Sequence, residues 1–136
     1  MTSINNSPVP EILLIDSFQN HADLVKLIFS RRYNDSIVVA SSGLEGINLA
    51  QKSSPDLIIL RLMLMDGIDG YEICRRLKAT PHLKQVPVLL FGAKQPLEVY
   101  QEAKLCGAEG YLYQPYHPDQ IYAACEALLA GKTYFP

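Results

Sequence analysis

The chain has no tryptophan, only three cysteines, and a charged fraction of 19% over 136 residues. Each scarcity excludes something. Twelve Lys+Arg against fourteen Asp+Glu leave a formal net charge of -2, without the basic excess that holds a nucleic-acid backbone. Cys74, Cys106 and Cys125 are far apart and odd in number. With no C-x-x-C pair and no Cys/His cluster, neither a zinc site nor a disulfide framework is expected. The thiols read as reduced and packed, in a cytoplasmic protein. The longest apolar runs are about five residues, far short of the roughly 20 that cross a bilayer, so no membrane association is expected. Met1 to Pro10 lacks the basic start and apolar core of a signal peptide. His21, His82 and His117 are scattered and read as surface or capping residues, so no metal and no cofactor is expected.

What remains is 49% hydrophobic, too apolar for a disordered chain and of a size for one domain. Short apolar runs recur: Ile12 to Ile15, Ile37 to Ala40, Leu57 to Leu60, Val88 to Phe91, and Gly110 to Tyr113. Each is apolar on both alternations, as in strands of a parallel sheet covered on both faces. Helical stretches are expected over 20–30, 43–52, 71–79, 97–106 and 118–130. Their inner stripes are Leu24, Leu27 and Ile28; Leu44, Ile47 and Ala50; Ile73, Cys74 and Leu77; Leu97, Tyr100 or Gln101, the Lys104 stem and Leu105; and Ile121, Ala124, Cys125, Leu128 and Leu129. Gly107 suits the residue just past a helix end. Five strand-then-helix repeats predict an α/β domain with right-handed crossovers. The expected boundaries are a flexible tail over 1–10, the domain over 11–130, and a short tail over 131–136. In such sheets the functional crevice lies beyond the carboxyl ends of the strands, which points to Asp16, Ser17, Arg61, Gly92 and Gln114.

The landmarks stand in a recognisable order. Glu11 to Asp16, Pro55 to Leu60, Asp69-Gly70-Tyr71-Glu72, Val86-Pro87-Val88, Gly107-Ala108, Gly110-Tyr111-Leu112 and Pro115-Tyr116 together resemble a response regulator receiver domain of two-component signalling, over nearly the whole chain. The resemblance implies a flavodoxin-like three-layer (βα)5 sandwich with strand order 2-1-3-4-5. It also implies five chemical groups: an acidic pair for Mg²⁺, a phospho-accepting aspartate ending strand three, a Ser/Thr ending strand four, and a lysine after strand five. Only Asp16 of these is kept. Its neighbour is Ser17, the acceptor position is Arg61, the hydroxyl position is Gly92 and the lysine position is Gln114.

A guanidinium is always cationic, is no nucleophile and repels a divalent cation. Arg61 is therefore expected to lie over the metal site and pair with Asp16. Asp66 and Asp69, in the next loop, read as turn and capping residues rather than substitute acceptors. Six of the eight tyrosines fall in the last third. By resemblance, Tyr100, Tyr111, Tyr113 and Tyr122 would sit on an interaction face of helix four, strand five and helix five, with Tyr111 at the position of the aromatic that changes rotamer on activation.

The residues thus favour a non-enzymatic pseudo-receiver that works in phosphorelay signal transduction by protein–protein contact. Its partner would be a histidine kinase, another regulator or itself, the last as a homodimer through that face. A different reading is a sensor of small anions at Asp16, Arg61 and Gln114. A phospho-accepting regulator is the reading least in keeping with the missing groups.

Overall fold

The computed structural model describes residues 9–33 and 36–136; the expected N-terminal tail falls outside them up to residue 8. Five strands are present: β1 (Ile12–Ile15), β2 (Ile37–Ala40), β3 (Leu57–Arg61), β4 (Val88–Gly92) and β5 (Gly110–Tyr113). They alternate with α1 (Gln19–Ser30), α2 (Gly43–Ser53), α3 (Gly70–Lys78), α4 (Pro96–Leu105) and α5 (Pro118–Leu129). The strands are all parallel, in the order 2-1-3-4-5. This is the α/β domain the strand-and-helix alternation predicts, in the flavodoxin-like order the family resemblance implies.

The three central strands are buried almost throughout, as runs apolar on both faces require. One side of the sheet packs Leu13, Ile15, Leu60 and Leu90 against Ile73, Leu77, Val99 and Ala103 of α3 and α4. The other packs Leu14, Ile59 and Phe91 against Val25, Phe29, Ile121 and Cys125 of α1 and α5. Cys74, Cys106 and Cys125 are buried free thiols, as expected.

Three helix faces differ from expectation. In α1, Ile28 is buried as expected, but Leu24 and Leu27 are about half exposed and Ala22, Val25 and Phe29 are buried in their place. In α4, Leu97 is 91% exposed and Leu105 70%, while Val99 and Ala103 face the sheet. In α2, Leu44 faces out, and Gly43, Gly46 and Ala50 face in. The physical reason is distance. A Cβ on Gly46 would lie 2.4 Å from Ile15 Cδ1, so that helix sits close to the sheet and only small side chains fit between them.

The ends of the elements are made as the residue types direct. Asp69 accepts from the Glu72 amide at 2.8 Å and caps α3. Ser42 does the same for α2 through the Glu45 amide. His117 caps α5, His82 bonds the Gln51 carbonyl, and Gly107 ends α4 at φ +92, all in line with expectation. Gly70 is fixed by a close approach: a Cβ there would lie 2.7 Å from the Arg61 carbonyl oxygen. Its amide donates to Leu62 O at 2.7 Å, tying the start of α3 to the end of β3.

The α1 assignment is testable. Phe29→Ala should cost about 3–5 kcal/mol in urea unfolding, and Leu24→Ala should stay within about 0.5 kcal/mol. The reverse ranking would mean that the leucine stripe is the inner one.

Candidate functional site at the carboxyl ends of the strands

Asp16 follows β1 directly, and Arg61 is the last residue of β3. Since β1 and β3 are neighbours in register, the two side chains emerge side by side. Arg61 Nε donates to Asp16 Oδ1 at 2.6 Å, and Nη2 to Oδ2 at 3.4 Å. The remaining guanidinium nitrogen, Nη1, reaches Gln114 Oε1 at 3.4 Å, just past β5. The guanidinium also lies against two aromatic rings, Phe18 at 4.5 Å and Phe91 at 4.8 Å, both favourable cation–π geometries. The sequence-based pairing of Arg61 with Asp16 is thus the observed one, and the Phe18 ring, from the loop after β1, lies against the same guanidinium.

Asp16 is the one buried charged side chain among the described residues, 1% exposed. Its carboxylate accepts two hydrogen bonds from Arg61, one from the Phe18 amide at 3.0 Å and one from His21 Nδ1 at 2.5 Å. Burial pushes its pKa up. Hydrogen bonds from His21 and Arg61, the Phe18 amide and the Arg61 charge outweigh that, and the pKa lies below the ordinary 3.8.

His21 corrects the expectation of a surface or capping role. It sits in the first turn of α1 with its ring stacked on Phe91 at 5.0 Å. The carboxylate can only accept, so Nδ1 donates to it, and Nε2 meets the Tyr116 hydroxyl at 2.8 Å. The Tyr116 phenol is pushed up to about 12, first by burial and then by the Asp16 charge. Asp16, His21 and Tyr116 therefore form one connected chain that links β1, α1 and the loop after β5. No spacing in the sequence signals it, because Tyr116 is 95 positions from His21.

The other site positions also have structural partners. Ser17 Oγ accepts from the Met65 amide at 3.1 Å, which joins the loops after β1 and β3. Asp66 accepts from the Gly43 amide at 3.0 Å. At Gly92, an added Cβ would meet Leu62 Cδ1 at 3.3 Å, so the space of a side chain is partly filled by Leu62. Asp66 and Asp69 are engaged as turn and cap residues, as expected.

A divalent cation does not fit this donor set. One carboxylate is present, both of its oxygens are engaged, and a guanidinium lies on it. Asp16 at -1 and Arg61 at +1 cancel, where Mg²⁺ sites gather several hard oxygen ligands. Among the described residues, no three His, Cys, Asp or Glu side chains are grouped to hold a metal.

The tyrosine face is corrected in part. Tyr111 is 1% exposed, with its hydroxyl donating to Lys94 O at 2.7 Å. Tyr122 points to the other side of the sheet, where its hydroxyl bonds Ile28 O and Arg32 covers its ring at 4.0 Å. The reason is the helical position of Tyr122, one residue past Ile121, which turns it towards α1. Tyr100 and Tyr113 remain half-buried beside β5.

Asp16→Asn should destabilise the fold by about 3–5 kcal/mol, because it removes the anion that compensates a guanidinium only 13% exposed. The depressed Asp16 pKa also fixes a sign. Its stabilisation is present above about pH 4 and is lost as pH falls below that value. Urea unfolding from pH 5 to pH 2 should show a drop in wild-type stability that is smaller in Asp16→Asn.

Comparison with known proteins places this geometry. The family described as response regulator receiver domain matches residues 12–126. The DNA-binding dual master transcriptional regulator RpaA of a Synechocystis species is 33% identical over 94% of this chain and 52% of its own length. Sporulation initiation phosphotransferase F of Bacillus subtilis is 28% identical over 90% of this chain and 96% of its own. The crystal structure of a two-component response regulator of the LuxR family, from an Aurantimonas species, superposes with a TM-score of 0.85. It is 25% identical and covers 93% of this chain and 89% of that one. The chain spans about half the length of several curated relatives it matches. One of these is named for DNA binding, so the exclusion of nucleic acid drawn from charge is not supported. Matched to the family over residues 12–126 and folded as a parallel sheet of order 2-1-3-4-5, the chain belongs to the response regulator receiver family, the signalling modules of two-component systems.

Proposed function

We propose that this receiver domain signals without accepting a phosphoryl group, and that it works by protein–protein contact. The observation that carries this is the Arg61–Asp16 pair at the end of β3, 2.6 Å from Nε to Oδ1. Phosphoryl transfer to a protein needs a nucleophile in line with the donor and a means of offsetting its charge. The strand end supplies a cation that cannot attack, and the carboxylate beside it is spent on internal bonds. Gly92 and Gln114 offer neither a hydroxyl nor an ammonium to the transferred group. Tyr111 is buried and held by Lys94 O, which suits a surface kept in one state.

Support for contact as the mode of action comes from α1. Leu24 and Leu27 are exposed beside Pro115, Pro118 and Tyr122, around a cleft of about 700 Å³ rimmed by Arg31. Apolar side chains with an arginine rim are the usual make-up of a protein contact. The partner is a histidine kinase, another regulator or a second copy of the chain. The anion-sensor reading has less support, since the Arg61 donors are directed at Asp16 and Gln114 and the side chain is only 13% exposed.

Incubated with acetyl phosphate and Mg²⁺, the wild type should show no phosphate adduct by intact mass. Arg61→Asp, which leaves Gly92 and Gln114 in place, should show none either. A stable adduct on the wild type would overturn the reading.

A further inference from the structure

The helices α1 and α5 lie on one face of the sheet, and a cleft of about 700 Å³ opens between them. That volume is in the range that holds a small organic molecule. Its walls are mostly apolar: Leu24, Leu27 and Ile28 from α1, Pro118 and Tyr122 from α5, and Pro115 from the loop after β5. Leu24 and Leu27 are about half exposed, whereas Ile28 is buried, so the cleft has depth as well as a rim.

The charges about it are unevenly placed. His21, in the first turn of α1, marks the end of the cleft near the carboxyl ends of the strands. Arg31, at the other end of the helix, lies about 15 Å away along its axis. Arg32 is already committed, paired with Glu126 and laid over the Tyr122 ring at 4.0 Å. Arg31 makes no ion pair among the described residues. An exposed guanidinium beside an apolar trough offers a two-point seat for one carboxylate. A dianion suits the cleft less well, since Asp119 lines it and Glu126 holds Arg32.

We propose that the α1–α5 cleft binds a small amphiphilic monoanion, a carboxylate with an aliphatic body. The carboxylate sits on Arg31, and the body runs past Leu27 and Leu24 towards Tyr116. The site is separate from the crevice, where the Arg61 donors are engaged by Asp16 and Gln114. The two are nevertheless joined. His21 and Gln114 line the cleft and also bond Asp16 and Arg61, and Tyr116 lines it with its hydroxyl on His21 Nε2. A ligand body reaching that end lies against the side chains that hold the buried charge, which gives the domain an input that needs no phosphoryl group. The inference goes beyond the contact reading: a partner protein would meet the exposed rim, and the ligand fills the trough below it. Binding stands whether or not the domain accepts a phosphoryl group.

The test titrates the full-length chain with decanoate, below its micellar concentration, and follows the amide NMR spectrum. Saturable shifts are expected at Leu27, Arg31 and Tyr122, and none at Leu97, an exposed leucine on α4. Arg31→Gln should weaken decanoate binding about tenfold. It should leave binding of decanol, the same chain without the charge, unchanged, whereas Leu27→Gln should weaken both. Both positions are exposed, so both variants should keep the wild-type unfolding midpoint. The proposal is overturned by the absence of saturable shifts, by equal shifts at Leu97, or by decanoate binding that Arg31→Gln leaves unchanged. A wild-type dimer that Leu27→Gln dissociates would make the cleft an interface between copies, and it also overturns the proposal. Should a variant fail to fold, the wild type decides: decanoate must bind about tenfold tighter than decanol, and equal affinity overturns it. Phosphate adducts are read in the separate acetyl phosphate experiment, so failure of either reading leaves the other standing.

Discussion

A carboxylate taken out of water must be compensated on the spot, and Asp16 imposes that demand on the whole carboxyl end of the sheet. The compensation is drawn from separate parts of the chain: Arg61 from β3, His21 from α1 and the Phe18 amide from the loop between β1 and α1. Arg61 in turn reaches Gln114, and His21 reaches Tyr116. One buried charge therefore cross-links β1, β3, α1 and the loop after β5. The gathering is done by the protein's own side chains.

The two faces of the domain then carry different kinds of surface. On the α1 and α5 side, exposed leucines and a ring of prolines and tyrosines leave a cleft open to solvent. On the β5 and α4 side, the aromatic surface is folded under the residues that follow α5. An apolar patch that is covered from within the chain is protected from indiscriminate association, whereas the α1 cleft has no such cover among the described residues.

The sheet was legible because its strands are short runs apolar on both alternations, a pattern that neither a half-exposed strand nor an amphipathic helix produces. Even so, β3 and β4 each run one residue further than those runs, to Arg61 and Gly92. The helices were located to within a residue or two, but not always faced correctly. Leu24, Leu27, Leu97 and Leu105 satisfied helical periodicity, yet Ala22, Val25, Val99 and Ala103 are buried in their place. On α2 the close approach to the sheet selects for small side chains, whereas on α1 the larger Phe29 is taken in, so there the position of the stripe and not its size was missed. At the site, the Arg61–Asp16 pair followed from strand register and charge. His21 did not, since its partners lie on a different strand end and a distant loop. Nor did the bridge of Tyr134 to Gly110: a short polar-aromatic segment has no periodicity to reveal which edge it pairs with.

Leu62 gives the site a history-dependent quality. It leans into the space a side chain at Gly92 would need, 3.3 Å from the Cβ position. Putting a hydroxyl there first would press on Leu62. Putting an acid at 61 first would set two carboxylates together with no cation between them, and a lysine at 114 first would face Arg61. Each of these single substitutions would meet a group already in place, so positions 61, 92 and 114 form one unit whose changes are expected not to add.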